Sequence, residues 1–74
     1  MYYTMQKSWV HSSVLQSVGY DAVTKILELE FSEGGVYDYF NFSPRTFKKF
    51  INSGSLGHFF VKKIKGKYPE LRIQ

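Results

Sequence analysis

Residues 24–42, TKILELEFSEGGVYDYFNF, hold the pattern that decides the fold. Leu27, Leu29 and Phe31 alternate with Glu28 and Glu30, the period-2 signature of a strand with one face buried and the other wet. Glu33-Gly34-Gly35 supplies a tight turn, because glycine takes positive φ without the clash that a Cβ would bring. A second strand runs from Val36 to Phe42. Tyr37 and Tyr39 point to one of its faces, and Val36, Phe40 and Phe42 to the other with Asp38 among them. Both faces are thus rich in rings, unlike a sheet with one face on a core and one in water.

Upstream, Val10, Val14, Leu15 and Val18 are spaced among small polar residues between Trp9 and Val18, and Gly19-Tyr20-Asp21-Ala22 reads as a turn. Asp21 closes that turn through its own side chain, with Tyr20 packing over it. Residues 1–7 are polar with two tyrosines and read as a flexible lead-in.

Downstream, Ser43-Pro44 marks a helix start, serine as N-cap and proline at the first helical position. Phe47, Phe50 and Ile51 follow at helical spacing, with Lys48 and Lys49 on the opposite side. Gly54 is placed to end this helix and Ser55 to cap a second one. In that second helix Leu56, Phe59, Phe60 and Ile64 share a side, Lys62 and Lys65 lie away from them, and Lys63 sits at the edge of the stripe, where its stem can snorkel. Gly66 ends the helix, and Tyr68-Pro69 opens an extended tail to Gln74. The expected fold is α+β: a three-stranded antiparallel β-meander followed by two short α-helices.

Seventy-four residues make one domain. A core of this size is worth only roughly 3–5 kcal/mol. The 19% aromatic content answers that shortage, since each ring buries about 150–250 Å²; some rings are expected to meet an oligomer partner or a ligand. Cysteine is absent, which removes disulfides, thiolate metal sites and thiol nucleophiles and suits a reducing cytoplasm. The N-terminus lacks the apolar core of a signal peptide, and no apolar run approaches the roughly 20 residues of a membrane span. A cytoplasmic protein without a membrane segment is expected.

Several short runs together resemble the KTSC domain, a family named from the C-terminus of certain lysyl-tRNA synthetases. They are Ser12-Ser13, Gly19-Tyr20-Asp21, Leu27-Glu28-Leu29-Glu30-Phe31, Gly35-Val36-Tyr37-Asp38-Tyr39, then Pro44 and Ser55-Leu56-Gly57-His58-Phe59-Phe60 with Ile64. The resemblance covers about residues 8–69, so 8–74 read as a single KTSC-like domain. It implies a module found as a synthetase tail and as free-standing small bacterial proteins, for which RNA binding has been suggested, with the family's Y-x-Y motif on Tyr37 and Tyr39. The stretch Phe40-Asn41-Phe42-Ser43 departs from the family's short link into the helix. The 74 residues hold no synthetase domain, so a synthetase-coupled role is not expected to transfer with the resemblance.

Charge is sorted along the chain. Residues 1–44 carry Lys7 and Lys25 against five carboxylates, a net −3, whereas residues 45–74 carry eight Lys and Arg against Glu70 alone, a net +7. A polyanion is drawn to the second half. Binding a nucleic acid needs cations to replace phosphate counterions and flat groups to stack on bases. Arg45, Lys48, Lys49, Lys62, Lys63, Lys65 and Lys67 offer the first and the strand tyrosines Tyr37 and Tyr39 the second. Against this stand a solvated helix face for the lysines and core or oligomer packing for the tyrosines. Trp9, the only tryptophan, either caps the core or anchors a partner.

Catalysis is not expected. His11 and Ser12, adjacent on a strand, point to opposite faces; Ser13 shares a face with His11 but lacks an orienting acid; and His58 opens a helix. Glu28 and Glu30 fall short of the 6–8 oxygens calcium takes, and Gly34-Gly35, Gly54 and Gly57 lack the spacing of a phosphate loop. No metal and no cofactor are expected. Ser12 and Ser13 read instead as backbone-fixing hydroxyls.

The first functional reading is a small non-catalytic module that binds RNA or another polyanion through a basic helical face and sheet tyrosines. The alternative is a protein-interaction domain, self-associating or acting on a larger enzyme or host machinery, such as a viral, phage or accessory inhibitor. An acidic sheet beside basic helices forms a dipole, which suits oriented binding and head-to-tail self-association alike.

Overall fold

A computed structural model describes residues 6–10 and 12–74 of the chain. Five antiparallel strands run in sequence order across one sheet: β1 (Gln6–Trp9), β2 (Leu15–Asp21), β3 (Ile26–Phe31), β4 (Val36–Tyr39) and β5 (Glu70–Arg72). Between β4 and β5 the chain forms α1 (Pro44–Ile51) and α2 (Leu56–Phe59), and α2 runs into a π-helical turn, Phe60–Ile64. The α+β class and the central meander hold, but the three-strand expectation undercounts the sheet by both edges. Gln6 and Lys7, expected in the lead-in, belong to β1, and the expected extended tail pairs with β4 as β5. The readings that involve His11, and residues 1–5 of the lead-in, lie outside the described residues.

β3 follows its alternation. Leu27 and Leu29 are fully buried, and opposite them in register stand Tyr39 and Tyr37. On β2 both Leu15 and Val18 reach the same core, although an unbroken alternation puts residues three apart on opposite faces. The register shifts between Leu15 and Ser17, and this bulge swings Leu15 back to the core side. The turn into β3 falls at residues 22–25, after Gly19, Tyr20 and Asp21 have paired as part of β2. Asp21 Oδ1 still closes it, accepting from the N–H groups of Val23 (2.9 Å) and Thr24 (3.4 Å). Tyr20 turns instead to the core, stacking on Phe47 at 4.3 Å between ring centroids and donating its hydroxyl to Phe42 O. Burial first, then the nearby Asp21 charge, raise its phenol pKa above the ordinary value.

Phe42, placed by alternation on the face opposite Tyr37 and Tyr39, reaches the core because Asn41, at φ 63°, turns the chain after β4. The ring is fully buried, 4.8 Å from Tyr68 and edge-on to Phe50 at 6.5 Å. Ser43 caps α1 as expected, its Oγ accepting from Thr46 N–H at 3.1 Å with Pro44 following. The helix ends one residue before Asn52 rather than at Gly54, and Ser53 Oγ donates to Phe50 O. Phe50, Phe60 and Ile64 bring both helical segments onto one face of the sheet. In the π-helical turn Lys65 N–H reaches Phe60 O at 2.8 Å, an i to i+5 bond that follows α2 directly.

Ser12 Oγ accepts from Val14 N–H (3.1 Å) and Leu15 N–H (3.2 Å), the backbone-fixing role expected of it. The bend so formed presses on α2 at Gly57, where an added Cβ lies 2.9 Å from Val14 Cγ2. Gly57→Ala is therefore expected to destabilise by about 1 kcal/mol, overpacking outweighing the gain in helix propensity. In a Val14→Ala background the obstruction is gone and the same change should stabilise. Urea denaturation of the four proteins reads this reversal of sign.

Candidate nucleic-acid interface

The expected site residues separate into three groups. Arg45, Lys48 and Lys49 are exposed on α1. With Asn52 they follow i, i+3, i+4, i+7 spacing, which stacks them on one helix face, and the four line one shallow hollow. Lys48 and Lys49 also lie in the last turn, where cations complement the helix dipole. Lys62 and Lys63, equally exposed, border a second hollow with Ser53, Gly54, Ser55, His58 and Phe59. The link from α1 to α2 thus separates two pairs of neighbouring lysines. Ser55 Oγ accepts from His58 N–H at 3.1 Å, which fixes the start of α2 and leaves the His58 side chain exposed.

The remaining cations diverge. Lys65 lines a concavity with Tyr37, Tyr39, Phe60 and Glu70, at the end of the domain where β5 joins the sheet. Lys67 is exposed beyond the π-helical turn, beside Gly66 at φ 73°. Arg72 lies across the Tyr37 ring at 5.8 Å and donates its Nε–H to Gln74 O at 2.8 Å.

The tyrosines fit the stacking role poorly. Tyr39 is 2% exposed, packed in the core against Phe60 and Tyr37, so no nucleobase reaches its face. Its expected part in a binding surface is corrected on that ground. Tyr37 is half-buried, edge-on to Phe31 at 5.7 Å and covered in part by Arg72. Trp9, whose first expected role is to cap the core, is 73% exposed. The side chains that sequence reasoning passes over are Asn52, Ser53 and Ser55, together with His58, which it weighs only for catalysis. The signal is present in the run Asn52-Ser53-Gly54-Ser55, a hydrogen-bonding link set between two lysine pairs.

Burial pushes the Tyr39 phenol well above the ordinary tyrosine range, with smaller upward contributions from Glu70 and Tyr37. The raised pKa means that the fold opposes ionisation. Its stabilising effect is complete below the ordinary value of 10.0 and is lost as pH climbs past it. Tyr39 is expected to ionise above the ordinary tyrosine range in an absorbance titration, and Tyr39→Phe should make the alkaline loss of stability shallower.

Among the described residues no group of three or more His, Cys, Asp or Glu is placed to hold a metal ion, and no helix is long and apolar enough to cross a membrane. The fold and its surface define a small α+β domain with a basic helical side. Residues 11–68 match the KTSC domain family, and the chain belongs to that family. It is similar to the crystal structure of a KTSC domain protein from Yersinia pestis, with a TM-score of 0.93 and 38% identity, covering 96% of this chain and 100% of that one. It is also 39% identical over 56 residues to a lysine–tRNA ligase of Nostoc punctiforme, and 39% identical over 56 residues to a protein of Stutzerimonas stutzeri. Each match covers 76% of this chain, but only 10% of the ligase against 79% of the Stutzerimonas protein. The chain spans about a tenth of the ligases it resembles.

Proposed function

We propose that this domain is a non-catalytic RNA-binding module whose contact surface is formed by α1, the link after it and the π-helical turn. The observation that carries the reading is the placement of Arg45, Lys48, Lys49, Lys62 and Lys63. All five are exposed, and they flank a link bearing Asn52, Ser53 and Ser55. The cations neutralise phosphates and release counterions, while side-chain hydroxyls and the amide suit sugar and phosphate contacts. The exposed His58 imidazole takes the stacking part in place of Tyr39, since histidine is one of the flat side chains that pack on unstacked bases. A tRNA substrate in the names of the ligase relatives supports RNA over DNA. The lack of cysteine supports a reducing cytoplasm as the setting.

The test is the affinity for a short single-stranded RNA, followed by fluorescence anisotropy across a salt series. Five phosphate contacts give a slope of log K against log salt of about −3.5, so a fourfold rise in salt should weaken binding roughly a hundredfold. Absence of binding at low salt, or a flat slope, would overturn the reading.

A further inference from the structure

We infer that the outer edge of β5 pairs with β5 of a second copy of this chain, antiparallel about a two-fold axis, so that the two sheets become one. β5 stands at the end of the strand order, and its three residues are all exposed. Hydrogen bonding fixes which of its backbone groups are free. Phe40 N–H donates to Pro69 O and Ile73 N–H donates to Val36 O, so residues 69, 71 and 73 turn their peptide groups toward β4. Antiparallel pairing alternates in this respect, which directs the N–H and C=O of Glu70 and Arg72 outward. Such an edge is a template for one more strand. Pro69 does not blunt it, because the N–H that proline lacks falls on the β4 side.

The side chains select both the partner and the register. Glu70 lies opposite Tyr39 and Arg72 opposite Tyr37, so both charges stand on the helical side of the sheet and Leu71 on the other. A two-fold axis at Leu71 sets Glu70 beside the partner's Arg72 and Arg72 beside the partner's Glu70, in the positions that exchange backbone hydrogen bonds. Axes at Glu70 or at Arg72 would set like charges directly opposite, which cross-strand pairing disfavours. On the other face Leu71, 57% exposed, meets its own copy, and Ile73, 42% exposed, falls beside the partner's Pro69. Both charges are available for this pairing. Among the described residues neither is in an ion pair: Arg72 gives its Nε–H to Gln74 O and lies over the Tyr37 ring, which holds the guanidinium along the edge with its terminal amino groups unused. Lys65 lines the same concavity as Glu70 without bonding to it. β1, the other edge of the sheet, carries Lys7 as its only charged residue and offers no carboxylate to a copy of itself.

Sedimentation equilibrium of the 74-residue chain tests this. An edge contact of this length is small beside the ~1,600 Å² of a standard interface, so the concentration series should extend to about millimolar protein. The mass should rise to a plateau at twice that of the monomer. Glu70→Arg, or Arg72→Glu, sets like charges opposite one another at both symmetry-related positions and should weaken dimerisation roughly tenfold or more. The exchange Glu70→Arg/Arg72→Glu restores both pairs and should recover the dimer. An equimolar mixture of the two single variants should likewise dimerise at concentrations where each alone stays monomeric. These are changes of exposed side chains, and circular dichroism should show the fold retained in each. A monomer throughout the series, growth past the dimer, or dimerisation indifferent to the single changes would overturn the inference, and so would an exchange variant that stays monomeric. Neither residue belongs to the lysine surface, so the RNA reading stands or falls separately.

Discussion

Phe42→Ala is expected to leave the domain largely unfolded at room temperature. The ring is fully buried and meets Tyr20, Phe50 and Tyr68, three aromatics drawn from β2, α1 and the segment before β5. It therefore joins the sheet to α1 and to the segment that leads into β5. Truncating a buried phenylalanine costs about 3–5 kcal/mol through lost transfer energy and the cavity left behind. A core of this size supplies roughly the same amount in total. The backbone bonds of Phe42, its N–H to Lys25 O and its C=O to the Tyr20 hydroxyl, survive the change in principle. The loss thus falls on packing alone, and Phe42→Leu should recover a substantial part of it. Thermal unfolding by circular dichroism decides the matter: a cooperative transition within a few degrees of the parent would contradict the placement of Phe42 at the centre of the core. Trp9→Ser is the matching control. It removes the largest side chain in the protein, but at a position 73% exposed, so its effect should stay within about 0.5 kcal/mol.

That contrast shows what the sequence makes legible and what it does not. Local rules are sufficient wherever a residue acts on its own backbone. The β3 alternation, the Gly34-Gly35 turn at φ 110° and 95°, the Ser43-Pro44 and Ser55 caps, and the Asx-type closure by Asp21 are all where local chemistry puts them. The edge strands are different. Gln6–Trp9 is four residues long, too short for an alternation to stand out in the sequence, and the three residues of Glu70–Arg72 are all exposed, so that strand offers no buried face to read. They are strands because β2 and β4 offer unpaired backbone groups beside them. The bulge at Gln16 and the positive φ at Asn41 likewise change which face a residue meets by a shift that no periodicity encodes. Tyr37 and Tyr39 share a face, as alternation requires, but a strand with rings on both sides does not announce which side is the core. The cations are legible as residues, whereas their division needs the structure. Lys65 follows Lys63 closely in sequence, yet it lines a different concavity, with Tyr37 and Glu70.

The largest functional effect is expected from reversing four of the five cations on the proposed RNA surface. Lys48→Glu/Lys49→Glu/Lys62→Glu/Lys63→Glu changes only exposed side chains, so the fold should be retained apart from the lost helix-end complementarity at Lys48 and Lys49. It takes the net charge from +4 to −4. Each phosphate contact with single-stranded nucleic acid contributes about 0.7 to the salt slope, which near 0.1 M salt is roughly a fivefold gain in affinity. Losing four contacts therefore weakens RNA binding by roughly 10²–10³, before the repulsion from four introduced carboxylates. The residual slope should drop to about −0.7, the share of Arg45 alone. Two further proteins separate a local surface from a generic effect of basicity. Lys25→Glu, on the turn between β2 and β3, changes the charge far along the chain from the proposed surface and should shift affinity little. Replacing the same four lysines by glutamine removes the contacts without adding repulsion, and should reproduce the change in slope with a smaller loss of affinity. If Lys25→Glu weakens binding as much per charge as the surface variants do, the attraction belongs to the net charge of the molecule, and α1 with the π-helical turn is not the binding surface.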